Sequence, residues 1–400
     1  METENTVNRD SEKKNKNAVK GSDYAGWGML SRVRPELFGC AMIGILIFHL
    51  CEDILMIKGK NTSGYKFARL YEILIGSSGV EIFIILSGVG LCFAMHKNGD
   101  IRSFYRKRLV RIAPGYIICG AVLSVGRHLI LDKGGIKDAL KEFFFINFLK
   151  YGVRTLWFIF FIVVMYLIYP ALFKTFRYAD GKEKSRRERR NKAVIAAVII
   201  TLIYLLLWVI KDSYPRFYMN TEIALTRIPV FVYGAYLGEK VYRKKMMSLW
   251  DFMIPVAGVI FKMLNSVDRA DGHTEKNWWF DGRLIVFLYS IAILIVLAMI
   301  LDMLKAGDHL KPVRSLLRVI GKYSLEIYMT HVVIRALMLK KWGVKEYLSK
   351  YWMYLIMVAA SVIVVRTVSN LVVQACGRKD KKTVSTSAGT TKSRSGSKKK

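Results

Sequence analysis

Acidic residues are scarce in this sequence. Its 400 residues include 63 lysines and arginines but only 30 aspartates and glutamates, so the formal net charge is +33. Hydrophobic residues nevertheless make up 53% of the chain. A nucleic-acid-binding protein would collect its basic charge on one folded surface. Here the basic runs alternate with apolar runs long enough to cross a bilayer, so we expect a multi-pass membrane protein and no nucleic-acid partner.

Signals for disulfides, metals and nucleotide phosphates are also lacking. The five cysteines have no paired spacing, so they predict neither a disulfide framework nor a zinc site. No HExxH motif and no Walker or Rossmann glycine loop occurs, although each is a common signature of metal or nucleotide binding. We therefore predict no bound metal or cofactor.

The two ends of the chain lack long apolar runs. Residues 1–35 are polar and basic and contain no signal-peptide core, so we expect a cytoplasmic N-terminal segment and a retained first span. Residues 375–400 are rich in Ser, Thr, Gly and Lys, a composition that predicts a disordered, basic cytoplasmic tail.

The residues between these ends, 36–374, contain about ten apolar runs. A spanning helix needs about 20 mostly apolar residues, and the sixth and seventh runs are the shortest. Lys and Arg concentrate in the loops after the second, fourth and sixth runs, so the positive-inside rule places both termini in the cytoplasm. We predict an all-α, polytopic helix bundle in the cell membrane. Its spans lie near 36–57, 73–96, 113–131, 155–173, 193–210, 226–242, 249–264, 283–303, 318–339 and 349–374.

The first predicted span contains an ionisable group, His49, in its outer half. Glu52 and Asp53 follow at three and four residues, so one or both share its helix face. A carboxylate beside an imidazole can orient it as a general base on an acceptor hydroxyl. Alternatively, the imidazole accepts the acyl group itself. The alternative is a helix that ends here among ordinary interfacial polar residues.

Two further spans contain costly ionisable groups, at a depth expected to be similar to that of His49. Glu81 lies in the second span, and Glu326 and His331 lie in the ninth. Charged groups inside a membrane normally face a wet cavity or another helix. These residues are therefore either functional or engaged in hydrogen bonds between helices.

An arginine-rich stretch precedes the third predicted span and includes Arg106, Arg108 and Arg111. If the stretch is helical, Arg108 and Arg111 share one face. Arginine binds phosphate in a bidentate manner. The alternative is plain positive charge on the cytoplasmic side.

Four segments, taken in order, resemble the acyltransferase-3 family of membrane O-acyltransferases. The first resembles the family's GVxxFFxLSG signature, the second its arginine-rich stretch, the third its WF…YP span and the fourth its closing SxxxYxxH segment. They are residues 79–88, 105–114, 156–170 and 323–331. The resemblance covers roughly residues 36–374.

This resemblance implies transfer of an acyl group, with acetyl expected, from cytoplasmic acyl-CoA to a hydroxyl of an extracytoplasmic carbohydrate or cell-envelope acceptor. It matches His49 to the family's central histidine, with Glu52 or Asp53 beside it. It matches Arg108 and Arg111 to the RxxR associated with the donor. The family usually has an arginine eleven residues before the histidine, where this chain has Phe38. This difference leaves three alternatives. Either Arg32 or Arg34 substitutes for the missing arginine, or the chain binds its donor differently, or the chain is inactive.

The remaining candidates have less specific roles. We assign Arg106 to the acyl-CoA site, and Glu81, Glu326, His331 and Trp157 to acceptor binding or to structure. Acyl-CoA is then a co-substrate, and the other partners are membrane lipid and the acceptor. Because buried Glu and His also suit proton relays, a transporter or flippase is the main alternative, and a non-catalytic membrane scaffold is the second.

Overall fold

The computed structural model describes residues 26–57, 62–178, 186–270 and 282–394 of the chain, and it describes no side chains at 98, 186, 265–270 and 376–394. This part is 88% helical and contains no strand, which confirms the predicted all-α class. The described helices are α1 (Gly28–Arg32), α2 (Arg34–Met56), α3 (Ser63–Leu74), α4 (Ser78–Asn98), α5 (Ile101–Ser124), a π-helix (Val125–Leu131), α6 (Ile136–Phe143), α7 (Ile146–Tyr151), α8 (Trp157–Phe176), α9 (Arg186–Ser213), α10 (Pro215–Leu225), α11 (Ile228–Tyr242), α12 (Leu249–Ala270), α13 (Gly282–Ala306), α14 (Lys311–Lys322), α15 (Ser324–Ser349) and α16 (Tyr351–Arg394).

Seven segments of the described chain are helical, long and apolar enough to cross a membrane. They are α2, α3 with α4, α5 with the π-helix, α8, α9, α13 and the first part of α16. The other three predicted spans fall on α11, on α12 and on the pair α14 and α15. A multi-pass membrane protein is therefore supported, while the count of ten and the orientation of the termini stay predictions.

Three helix boundaries differ from the predicted ones. The third predicted span, 113–131, is part of a helix that already begins at Ile101, because the Asp100 side chain caps the backbone N–H groups of Arg102 and Ser103. The second begins at Ser78 rather than at residue 73. The ninth, 318–339, is divided at Tyr323 between two helices.

The predicted domain boundaries at the chain ends stay predictions. Residues 1–25 and 395–400 lie outside the described residues. The apolar part of α16 ends at Ala375, close to the predicted end of the last span. The helical backbone continues to Arg394, in the stretch expected to be disordered, but its side chains from 376 onward are not described.

The chain divides into two compact units. Unit 1 comprises Met1–Gly99 and Asn147–Ser324, and unit 2 comprises Asp100–Ile146 and Leu325–Lys400. In unit 1, small residues bring α4 and α11 together: a Cβ atom added to Gly88 would lie 2.8 Å from the backbone nitrogen of Ala235. Close contacts of this kind through small residues are typical of membrane helix pairs.

Candidate functional site

His49 forms a hydrogen-bonded pair with a carboxylate near the end of α2. Its Nδ1 atom lies 2.7 Å from Oε2 of Glu52, and the two side chains are 23% and 39% exposed. If the neutral ring donates its Nδ1 proton to Glu52, then Nε2 retains a lone pair and can accept a proton. The structure thus places Glu52 on the imidazole, whereas Asp53 is fully buried.

Glu81 does not lie at the depth of His49, contrary to expectation. In the antiparallel pair of α2 and α4, Gly79 packs on Ala41 and Ile45, and the ring of Phe83 packs edge-on against Phe38 at 5.0 Å. Glu81 is therefore level with a point about eight residues before His49, which corresponds to roughly 12 Å along the helix axis. The expectation was wrong because α4 begins only at Ser78, after the separate helix α3.

Glu81 is instead part of a buried cluster with Arg227 and Trp157. Its Oε1 atom lies 3.2 Å from Nη2 of Arg227, and the two side chains are 1% and 3% exposed. The guanidinium lies over the Trp157 ring, 5.0 Å from the centroid. Among the described residues, neither Glu81 Oε2 nor Arg227 Nε has a hydrogen-bond partner, so both atoms are available to a ligand.

Arg227 is a site residue that the sequence analysis missed. It directly precedes α11, where an arginine resembles ordinary interfacial charge. A carboxylate deep in a span requires a cationic partner. A search for such a partner of Glu81 among the basic residues could have indicated Arg227. Next to the cluster, Glu222 forms ion pairs of 3.1 Å with Arg154 and 3.4 Å with Arg283.

Phe38, which stands where the family resemblance leads us to expect an arginine, belongs to an aromatic row. Its ring packs on Phe83, and Phe83 packs on Phe158 with centroids 5.4 Å apart. Of the two arginines that could substitute, Arg32 makes a bidentate pair with Asp302 at 2.9 and 2.6 Å. Arg34 lies four residues before Phe38, with its guanidinium 5.1 Å from the ring centroid of Phe93.

Unit 2 contains a buried carboxylate between two arginines. The side chain of Glu326 is 2% exposed and accepts hydrogen bonds of 2.9 and 3.2 Å from Arg111 of α5. Arg366 of α16 donates a third hydrogen bond, of 3.0 Å. The structure thus joins a residue predicted to bind acyl-CoA to one predicted to have an acceptor-binding or a structural role. Arg111 lies inside α5 rather than in a loop because this helix begins at Ile101.

The other arginines of α5 have more open positions. Arg108 is half-buried and its guanidinium lies 5.5 Å from the ring centroid of Phe104, whereas Arg106 is exposed. Arg108 and Arg111 are three residues apart on one helix, so they share a face as predicted. This part of the arginine stretch can therefore present guanidinium groups to an anion.

His331 is held differently from His49. It is fully buried, and its Nδ1 atom lies 2.9 Å from the backbone oxygen of Ile327, one turn earlier in α15. The neighbouring Thr330 lines an apolar cavity of about 250 Å³ between α5, α15 and α16. The other lining residues include Ile118, Cys119, Val122, Val333, Ser361 and Val365.

A polar cluster surrounds the π-helix at the far end of α5. The Nε2 atom of His128 lies 3.6 Å from Glu142, and its Nδ1 atom lies 3.9 Å from Asp132. Lys340 binds Asp132 at 2.8 Å, and this hydrogen bond lowers the pKa of the Asp132 carboxyl. π-Helical turns often occur at functional sites, so this cluster is also a candidate site. It is a second polar feature that was not predicted from the sequence.

One group of side chains in the described residues has the chemistry of a metal site. Cys92, His96 and Glu239 bring a thiol, an imidazole and a carboxylate within 4.8 Å of one another. The cysteine spacing and the lack of an HExxH motif predicted no metal, and such local patterns do not detect Glu239, which is far from Cys92 and His96 along the chain. The Phe38 row, the Glu81 cluster and this group all lie in unit 1.

Fold and polar clusters together define a multi-pass helical membrane protein with ionisable groups held between its helices. Residues 39–369 match the family model Acyl_transf_3, described as an acyltransferase domain. This match covers well over half of the chain, so the protein belongs to the acyltransferase-3 family, as the sequence motifs indicate. Comparisons with curated proteins and with solved structures give no match.

Proposed function

We propose that the protein transfers an acyl group, acetyl in the simplest case, from cytoplasmic acyl-CoA to a hydroxyl of an extracytoplasmic carbohydrate or cell-envelope acceptor. The observation that carries the proposal is the pairing of His49 with Glu52 at 2.7 Å in a membrane acyltransferase. An imidazole oriented by a carboxylate is suited to take a proton near neutral pH.

The proposed reaction uses His49 as a general base. Its Nε2 atom takes the proton of the acceptor hydroxyl while the oxygen attacks the thioester carbonyl. The carbon–sulfur bond then breaks, and the leaving CoA thiolate takes the proton back from the imidazolium. Glu52 fixes the tautomer and stabilises the positive charge on the ring. General-base catalysis of this kind contributes about 10²–10⁴-fold to the rate.

The proposed donor site is the arginine face of α5. Arg108 binds the phosphates of acyl-CoA, for which the guanidinium fork is well suited. Arg106, two residues earlier and therefore on a different side of the helix, adds positive charge to the site. Arg111 contributes through its pair with Glu326, because two arginines beside one carboxylate leave one net positive charge. Arg32 is committed to Asp302, so Arg34 is the proposed substitute for the arginine replaced by Phe38.

The proposed acceptor site extends inward from His49 to the cluster of Glu81, Arg227 and Trp157, which lies roughly 12 Å along the axis of α2. Glu81 Oε2 and Arg227 Nε are buried without a partner among the described residues, and buried polar atoms are normally hydrogen-bonded. A sugar hydroxyl can accept from the guanidinium and donate to the carboxylate. His331, tied to its own helix, has a positioning role in unit 2.

The proposal is tested with purified protein in lipid nanodiscs by measuring acetyl-CoA binding and consumption with a carbohydrate acceptor. We expect wild-type protein to release CoA, and Arg108→Ala to raise the KM for acetyl-CoA about tenfold or more. Arg216→Ala is the matched control, since it removes an exposed arginine of α10, outside the arginine stretch of α5. Wild-type protein that neither binds nor consumes acyl-CoA would overturn the proposal in favour of a transporter.

A further inference from the structure

A cysteine, a histidine and a glutamate meet where the end of α4 packs on α11. Cys92 and His96 are four residues apart on α4 and so share one face, and Glu239 comes from α11. The Oε2 atom of Glu239 lies 2.7 Å from Nε2 of His96 and 3.5 Å from Sγ of Cys92. Three different ligand types therefore converge on one point.

We infer that Cys92, His96 and Glu239 bind one zinc ion. Zinc takes thiolate, imidazole and carboxylate ligands at about 2.3, 2.0–2.1 and 2.0–2.2 Å in tetrahedral geometry, and a water molecule takes the fourth position when the protein supplies three ligands. Such bonds separate the ligand atoms by about 3.3–3.8 Å. The distance between Cys92 and Glu239 already fits, and His96 has to move away from Glu239 by roughly half an ångström.

The surroundings orient each ligand. The other carboxylate oxygen of Glu239 accepts hydrogen bonds from Nε of Arg243 at 2.8 Å and from the backbone N–H of Tyr178 at 3.3 Å, which leaves Oε2 for the metal. The His96 ring is stacked on Tyr242 with centroids 3.8 Å apart. Outer hydrogen bonds and packing that fix the ligands are characteristic of metal sites.

Helix packing also brings the thiol into place. Gly238 directly precedes Glu239, and a Cβ atom there would lie 2.7 Å from the Cβ of Cys92. Cys92 and Glu239 are 1% and 2% exposed, so a thiolate formed at Cys92 requires a cation beside it. Zinc binding releases the thiol proton, and the thiolate and carboxylate together neutralise the two positive charges of the ion.

The proposed zinc ion joins two helices and takes no part in acyl transfer. His96 lies in the last turn of α4. The first turn of α4 packs on the middle of α2, and His49 lies still further from His96, near the end of α2. In the predicted orientation this end is cytoplasmic, where thiols stay reduced. The inference therefore does not depend on the proposed function.

The test is the zinc content of tag-free protein, purified without chelators and measured by inductively coupled plasma mass spectrometry. We expect about one zinc per wild-type chain, and a loss of at least fivefold in Cys92→Ser and in His96→Ala. Cys40→Ser is the matched control, because this half-buried cysteine of α2 lies outside the cluster, and it should retain zinc. Equal zinc content in all four proteins would overturn the inference.

X-ray absorption at the zinc edge gives a result that does not depend on folding of the variants. In wild-type protein we expect one sulfur at about 2.3 Å and nitrogen or oxygen ligands at about 2.0–2.1 Å. A spectrum without sulfur would contradict the site. The proposed site would also be contradicted if the protein remained free of zinc after incubation with equimolar zinc and removal of the unbound metal.

Discussion

The two histidines singled out from the sequence occupy contrasting environments in the two units. His49 in unit 1 is partly exposed, and its Nδ1 atom is bonded to the carboxylate of Glu52. His331 in unit 2 is fully buried, and its Nδ1 atom is bonded to a backbone carbonyl of its own helix. A carboxylate stabilises an imidazolium, whereas a carbonyl mainly fixes the orientation of the ring.

The difference separates a residue that is equipped for proton transfer from one that is equipped for positioning. The carboxylates of the two units differ as well, because Glu81 forms an ion pair with one arginine and Glu326 forms ion pairs with two. Acceptor chemistry is therefore expected in unit 1, and a rigid, positively charged cluster is expected in unit 2. Four variants test this contrast, ordered by the size of the expected effect.

Glu326→Ala is expected to have the largest effect, on stability. It removes the carboxylate between Arg111 and Arg366, and loss of one partner of a buried ion pair costs about 3–5 kcal/mol. Partial exposure of the arginines favours the lower end. Thermal unfolding in detergent measures the change, with Glu346→Ala as control, since its ion pair with Lys350 is exposed. Equal changes in the two variants would refute a structural cluster at Glu326.

Glu52→Gln is expected to reduce kcat about tenfold. The amide oxygen can still accept from Nδ1 of His49, but the negative charge that stabilises the imidazolium is lost. One factor of ten corresponds to about 1.4 kcal/mol. Glu72→Gln is a suitable control, because this exposed carboxylate pairs with Arg69 on the surface of α3. Unchanged turnover in Glu52→Gln would remove Glu52 from the mechanism.

His331→Gln is expected to change kcat less than threefold, because the imidazole is bonded to a carbonyl of its own helix. Steady-state kinetics with varied acceptor would show any effect in KM rather than in kcat. A loss of kcat as large as that expected from removal of His49 would reverse the contrast between the two histidines.

Asp132→Asn is expected to have the smallest effect. The hydrogen bond from Lys340 lowers the pKa of Asp132 in the folded protein. Any stability from this pair is therefore fully present above the unfolded pKa of about 3.9 and is lost as the pH falls through the folded pKa. Melting curves of variant and wild type should differ by a constant amount between about pH 8 and 9, above the range in which imidazole groups usually gain charge. A difference that varies in this range would exclude Asp132 as its source.

The helices and the His49 pair could be predicted because they depend on local spacing. A histidine and a carboxylate three residues apart meet on any helix, and apolar runs of membrane length mark the spans. The partners of Glu81 and Glu326 could not be predicted in this way. Arg227 and Arg366 are distant in the sequence, and only the packing of helices selects them. The same limit concealed Glu239 beside Cys92 and His96.

The most direct test of the account is the rate of acetyl-CoA consumption by His49→Ala, with acetyl-CoA binding measured on the same sample. We predict a loss of at least a hundredfold in kcat with unchanged binding of the donor, because the variant removes the base and leaves the arginine face of α5 intact. Turnover within a few-fold of wild type would contradict the assignment of proton transfer to His49.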